Sequence, residues 1–420
     1  MKFLNPLAGD KKSFVYNFFS LTALNVINYV FPIVMVPFLT RVLGLSGYGT
    51  YALALSWANI GLLFVRFGFD FSGVQEISRW RDEPQTLQKI FSEILFTRIS
   101  FGLLVAFGMI FLSYFLARPT DLYLYLASLG ILIGVSLNPN WLFQGMEKMQ
   151  FYVAITSISR ILFLVLVLFL VKSPRDSMLV MALNSLSMML GGTLSLGFAC
   201  RYFNLQIRLP SYSGMIKQIK NGWQLFLSTI GISFYRDFTT VIVGAVLDAP
   251  AVAIFSVCEK VLKVIQSLTA PIINALFPVF SRKFQLQKAE EFQNFIILGK
   301  KYALILTITS IVAFLSSPLI PFVFGPEYYN TVQLFRILIP IIIFGGLSYY
   351  IGVLGLVNLG RQKSFSSYVW FAGLTGLLCN YVLSSIVGLT GTGISLVFCE
   401  VLLFGLCLKE LNKYSRQLTK

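Results

Sequence analysis

Apolar runs of roughly twenty residues, each long enough to cross a hydrocarbon core as a helix, recur along the chain, and short segments between them gather most of the charge. Their bounds are 14–39, 48–71, 90–116, 122–143, 151–171 and 178–200, then 222–247, 251–280, 295–318, 331–357, 365–387 and 392–408. The pattern predicts an all-α polytopic membrane protein with about twelve transmembrane helices.

Punctuation within the pattern carries the next layer. Residues 138–149 read Asn-Pro-Asn-Trp-Leu-Phe-Gln-Gly-Met-Glu-Lys-Met and close the fourth run. Pro139 removes a backbone donor, Trp141 has the ring favoured at headgroup depth, Gly145 permits a turn, and Glu147 and Lys148 are the first charges beyond lipid. Pro32 and Pro37 in the first run, and Pro271 and Pro278 in the eighth, read as static kinks or as hinges. An internal repeat pairs Val42-Leu43-Gly44 before Tyr48 with Val246-Leu247-Asp248 before Val252. A fainter echo pairs Gly145-Met146-Glu147-Lys148 with Gly360-Arg361-Gln362-Lys363. The repeat predicts two six-helix bundles of like orientation around a central cavity, 1–200 and 222–408, joined by a cytoplasmic linker 201–221 and followed by a tail 409–420.

Composition agrees: 56% hydrophobic residues, 12% charged and a mean hydropathy of +0.78 exclude a soluble domain. The first run is too long for a secretory signal peptide. A net charge of +16 suggests nucleic acid until the basic residues are placed. Lys11, Lys12, Arg79, Arg81, Lys89, Lys148, Arg201, Arg208, Lys217 and Lys220 fall on one set of loops, whereas Arg41, Arg118, Lys172 and Arg175 alone occupy the other set. That asymmetry predicts both termini in the cytoplasm and an even number of spans, with no nucleic-acid partner. The five cysteines lie in or beside apolar runs without CxxC spacing, which points away from a disulfide or metal set. Histidine is absent, and neither an Asp-x-Asp metal site nor a Gly-rich phosphate loop occurs, so no cofactor is expected and the chain does not read as an enzyme.

Function must then come from charges that hydropathy disfavours, since an ionised group at the bilayer centre costs roughly 2.5 to 3.5 kcal/mol on insertion scales. Arg66 and Asp70 have pairing spacing and read equally as a structural pair or a substrate contact. Glu93 and Arg98 do not share a face, and Arg98 lies about two turns inside. Arg160 is about 15 Å deep with no nearby acid in sequence. Arg236 and Asp237 are adjacent and point about 100° apart, which favours the cavity for Arg236. Glu259 and Lys263 have the spacing of a bridge, while Lys260 points elsewhere; Arg336 lies near enough to an end to snorkel. Glu400 is central in the last run and reads as an ion site or as the partner of a base on another helix. Asn17, Asn25 and Asn28 offer hydrogen bonds to sugars or to neighbouring helices.

Trp141-Leu142-Phe143-Gln144-Gly145 followed by Glu147, Lys148 and Met149 resembles the signature of bacterial O-antigen flippases of the Wzx type, in the polysaccharide-export branch of the multidrug/oligosaccharidyl-lipid/polysaccharide superfamily. Val36-Pro37-Phe38-Leu39 to Arg41-Val42-Leu43-Gly44 ahead of Tyr48-Gly49, Gly68-Phe69 ahead of Gln75 and Ile77, and Phe277-Pro278 support it. The resemblance implies a twelve-helix inner-membrane flippase that turns undecaprenyl-diphosphate-linked oligosaccharide from cytoplasm to periplasm. It also implies work beside an O-antigen polymerase and a chain-length regulator. Related flippases have a cationic central cavity, for which Arg66, Arg98, Arg160, Arg236 and Lys260 are this chain's candidates on the depth argument alone. Asp70, Asp237, Glu259 and Glu400 are the carboxylates open to ion coupling. A multidrug exporter of the same architecture is the main rival, and a membrane glycosyltransferase or polymerase a weaker one.

Overall fold

The computed structural model describes residues 11–116, 122–285 and 289–418. Arg118 and the side chains of Asn17, Asn25, Asn28, Arg236, Pro271 and Pro278 lie outside the described residues. Among the described residues every regular element is helical, and nine helical stretches are long and apolar enough to cross a membrane. The helices are α1 (Lys11–Arg66), α2 (Phe69–Trp80), α3 (Pro84–Leu116), α4 (Leu122–Leu137), α5 (Asn140–Gly145), α6 (Met149–Leu170) and α7 (Ser177–Tyr202) in the first half. There follow α8 (Tyr212–Val246), α9 (Ala249–Gln285), α10 (Ala289–Ser316), α11 (Ile320–Phe324), α12 (Tyr329–Leu338), α13 (Pro340–Tyr349), a π-helical segment Tyr350–Val357, α14 (Gln362–Val387) and α15 (Leu389–Leu418). With α1 counted as two segments across its bend, and the stretch from α12 through the π-helical segment as one, the described residues form twelve long helical passes, as the apolar pattern predicts.

Three interruptions set the course of the chain. Helix α1 runs on through Pro32 and Pro37 and bends instead at Gly44, where φ of 65° and ψ of −173° leave helical space. A side chain there would face the left-handed penalty that glycine escapes, so the bend belongs to the glycine and not to the two prolines. The second expected run, 48–71, is also divided: α1 stops at Arg66, Phe67 and Gly68 take positive φ of 39° and 75°, and α2 starts anew as an amphipathic helix. Phe69, Ser72, Gly73 and Ile77 form its buried face, while Gln75, Ser78 and Arg79 are exposed.

At the third interruption Pro139 separates α4 from α5. Trp141 is not an interfacial anchor, because it is fully buried with Leu142 and Phe143 in the core that α2, α3 and α5 share. Its ring centroid lies 6.1 Å from that of Phe91. Gly145 is helical, and its role is close approach: a Cβ there would meet Ile77 Cγ2 at 2.6 Å and the Val74 carbonyl at 3.1 Å. The turn itself is made by Glu147 at φ 57°, after which the Lys148 amide donates back to the Phe143 carbonyl at 2.8 Å. In the second half Gly360 takes φ 76° and the Arg361 amide donates to the Leu356 carbonyl at 2.8 Å. The structural counterparts are therefore Glu147 and Gly360, not the Gly145 and Gly360 of the sequence pairing.

The chain packs as two units, Met1–Leu43 with Thr50–Ile230, and Gly44–Gly49 with Gly231–Lys420. In the first, α4 and α7 touch backbone to backbone, a Cβ on Gly192 falling 2.1 Å from the Gly134 carbonyl, the kind of approach small residues allow where apolar burial gives helices no preference for one another over lipid. In the second, Tyr350 donates its hydroxyl to the Phe295 carbonyl at 2.7 Å and stacks on that ring, 4.7 Å between centroids. There Asp248 caps α9, accepting the Ala251 amide at 2.9 Å, at the position that answers Gly44 in the repeat.

Candidate functional site

A cavity of about 340 Å³ lies within the first unit, walled by α1, α2, α3, α4, α5, α6 and α7. Its charged lining consists of Arg66, Asp70, Arg98 and Arg160. Asn59, Asn138, Asn140, Tyr152, Thr156, Ser159, Asn184 and Ser187 supply amides and hydroxyls, and Leu55, Leu62, Ile131, Val135 and Met188 the apolar remainder. The volume sits in the range of small-ligand clefts.

Each charged group is placed by a local feature of the fold. Arg66 is the last residue of α1 and stands exposed where the helix ends. Asp70 is in the first turn of α2, so the break at Phe67 and Gly68 abolishes the i,i+4 geometry that would have set it against Arg66. Its partner is Arg98, at 3.6 Å. Arg98 is only 1% exposed and is pinned by two donated hydrogen bonds, to the Asn140 carboxamide oxygen at 3.2 Å and to the Val135 carbonyl at 2.9 Å. That carbonyl lacks its helical i+4 donor because residue 139 is proline; it accepts the Asn138 amide at 3.2 Å and the guanidinium as a second donor. Arg160 is half-buried on α6, on the same wall as Tyr152 and Thr156. The Asn138 amide donates to the Tyr152 hydroxyl at 3.2 Å, the Asn184 amide to that of Tyr51 at 3.3 Å, and Ser187 ties α7 to the Ser159 carbonyl at 2.8 Å.

The cavity thus gathers Arg66, Arg98, Arg160 and Asp70 from the sequence-derived set. Glu93 turns the other way, accepting from the Gln218 amide at 2.9 Å. In the second unit Lys260 is held on Tyr48, its ammonium donating to the phenol oxygen at 2.6 Å and lying 5.1 Å from the ring centroid. Glu259 and Lys263 form the expected bridge at 2.7 Å. With Glu400, which is 3% exposed, they line a small cavity of about 50 Å³ that also includes Gln266. Asp237 is half-buried on α8. Arg336 donates to the Ser317 hydroxyl at 2.9 Å and covers the Phe314 ring, an outward-lying arrangement.

The neutral lining is what sequence reasoning missed. Tyr152, Thr156 and Ser159 recur every three or four residues along a largely apolar helix, as do Asn184, Ser187 and Gly191. A polar stripe at helical period within a membrane span was the available signal.

The fold is that of an all-helical polytopic membrane protein with a polar, cationic chamber inside one of its units. A solved structure titled as the inward-facing conformation of a multidrug resistance MATE family transporter of the MOP superfamily superposes with a TM-score of 0.70 at 14% identity, covering 93% of this chain and 99% of that one. An outward-facing structure of such a transporter gives 0.62 at 14% identity, over 100% and 99%. At that identity the likeness concerns the fold. The family described as Polysaccharide biosynthesis protein matches residues 14–284, and the chain belongs to it. Two relatives each carry the name “Putative O-antigen transporter”. That of Shigella dysenteriae is 27% identical over 389 residues, 92% of this chain and 96% of the relative, and that of Escherichia coli strain K12 is 26% identical over 408 residues, 95% and 97%.

Proposed function

We propose that the chain is a flippase that carries undecaprenyl-diphosphate-linked O-antigen oligosaccharide units from the cytoplasmic to the periplasmic face of the inner membrane by alternating access. The observation that carries this reading is the chamber in which Arg66, Arg98 and Arg160 share a wall with amides and hydroxyls inside membrane-spanning helices. A diphosphate and its sugars cannot enter hydrocarbon unshielded, whereas a polyprenyl tail dissolves there, so a transporter need enclose only the headgroup. Guanidinium forks suit phosphate oxygens, and neutral amides and hydroxyls suit a glycan. The excess of arginine sets this reading above export of cationic drugs, and the relatives' transporter names favour transport over glycosyl transfer or polymerisation.

The distribution of lysine and arginine supports an orientation with both termini in the cytoplasm. Coupling to an ion gradient would fall to a carboxylate among Asp70, Asp237, Glu259 and Glu400, and Arg236 and Lys260 are the second half's candidate cations for the cargo. Handover to an O-antigen polymerase and a chain-length regulator belongs to the same reading.

Neutralising the arginines tests it. Arg66→Gln and Arg160→Gln, at normal abundance in the membrane, are expected to stall surface polysaccharide and to leave lipid-linked oligosaccharide on the cytoplasmic leaflet. Full surface polysaccharide in both variants would remove the chamber from the transport path.

A further inference from the structure

One feature of the chamber runs against its purpose: a carboxylate, Asp70, stands inside a cavity suited to an anion. It does not pin Arg98, which already donates to Asn140 and to the Val135 carbonyl. The contact between Asp70 and Arg98 is 3.6 Å, an ion pair longer than a hydrogen bond, and among the described residues the buried oxygen Asp70 Oδ1 and the nitrogen Arg98 Nε have no hydrogen-bond partner. The pair is a loose association between one anchored cation and one under-used anion, open to exchange. Its other property is arithmetic: three guanidinium groups and one carboxylate leave the lining with two net positive charges, the opposite of a diphosphate diester.

We infer that Asp70 is an internal competitor for the cargo's diphosphate, a residue that neutralises Arg98 in the empty chamber and limits how tightly the chamber holds a loaded headgroup so that the cargo leaves. This rests on the flippase reading above and adds to it the residue that sets release. Phosphate oxygens arriving at Arg98 must displace the carboxylate, and its charge then lies beside theirs, where like charges repel. A chamber of arginines without this opposing charge binds the ground state better and gains nothing in turnover, because tight holding of a carried ligand slows the step that frees it. Asp70 is therefore a release residue, and its loss is expected to tighten binding while slowing turnover.

The test uses the full chain in nanodiscs and proteoliposomes with a short-chain polyprenyl diphosphate bearing one N-acetylhexosamine as probe. Asp70→Asn keeps the shape and removes the charge; the probe's Kd is expected to fall about tenfold, the scale of one unit-charge repulsion at a partly solvated site, while transbilayer turnover falls. Asp70→Glu restores the charge and is expected to return both toward wild type. Matched melting temperatures of the three proteins guard against a folding effect. Binding by Asp70→Asn that is unchanged or weaker, or Asp70→Glu behaving like Asp70→Asn, overturns the inference while leaving the flippase reading intact. A wild-type chain that does not bind the probe, or an Arg160→Gln variant that binds it as well as wild type, overturns the flippase reading itself and the inference with it.

Discussion

Replacing Tyr48 by phenylalanine separates two contributions that one contact combines. The Lys260 ammonium donates to the Tyr48 oxygen at 2.6 Å and also lies over its ring, and Tyr48 is fully buried. Tyr48→Phe removes the acceptor and keeps the ring, so the loss is one charge-assisted hydrogen bond, about 1.5 to 3 kcal/mol. The ring's attraction for the cation, about 0.5 to 2 kcal/mol, survives in that variant. Tyr48→Ala removes both and opens a void, raising the cost to about 3 to 5 kcal/mol. Lys260→Met abolishes the need for an acceptor, so the double variant Tyr48→Phe with Lys260→Met is expected to lose less than the two singles together, by about 1 kcal/mol or more. Thermal unfolding of the purified protein in one fixed detergent, followed by tryptophan fluorescence, gives the ranking and the non-additivity. Additive shifts in the double variant, or a Tyr48→Phe protein as stable as wild type, would refute the view that the Tyr48 hydroxyl holds the Lys260 ammonium.

Two further outcomes are expected. Gly145→Ala inserts a Cβ 2.6 to 2.7 Å from Ile77, a buried β-branched side chain that cannot swing away, and destabilises the α2–α5 contact by about 1 to 3 kcal/mol; the yield of folded monomer by size-exclusion chromatography reads it. Asp248→Ala removes the acceptor for the Ala251 amide and costs about 1 kcal/mol, which Asp248→Asn or Asp248→Ser regains; melting temperature compares the series.

The legible part of the site was its charge. Arg98 and Arg160 stood out because cations are expensive in lipid, and depth alone marked them for a common chamber. Asp70 is legible too, but spacing offers it only Arg66, since pairing by spacing assumes one continuous helix; the chain breaks between the two, and Arg98 on another helix is its ion-pair partner. Trp141 was placed at the membrane surface because its ring is amphipathic and a proline precedes it. Packing decided otherwise, for α2 folds back over α5 and covers it. Lys260 carries the same lesson: its helix offers Glu259 and Lys263 in sequence, yet the group that receives its proton donor is Tyr48, hundreds of residues away along the chain and adjacent in the fold.

The amino-acid sequence by itself determined the class, the number of long helical passes and which charges were anomalous, because a bilayer tests each segment separately and hydropathy is a property of the segment. Tertiary structure alone decided which of those charges meet. Contacts such as Asp70 with Arg98 join helices whose rotation and bends are set by glycine approaches, by the missing amide of Pro139 and by left-handed residues at Phe67, Gly68 and Glu147. A small turn in any of these helices moves a guanidinium from one wall to another while leaving hydropathy unchanged, so the chamber exists only once the helices have packed.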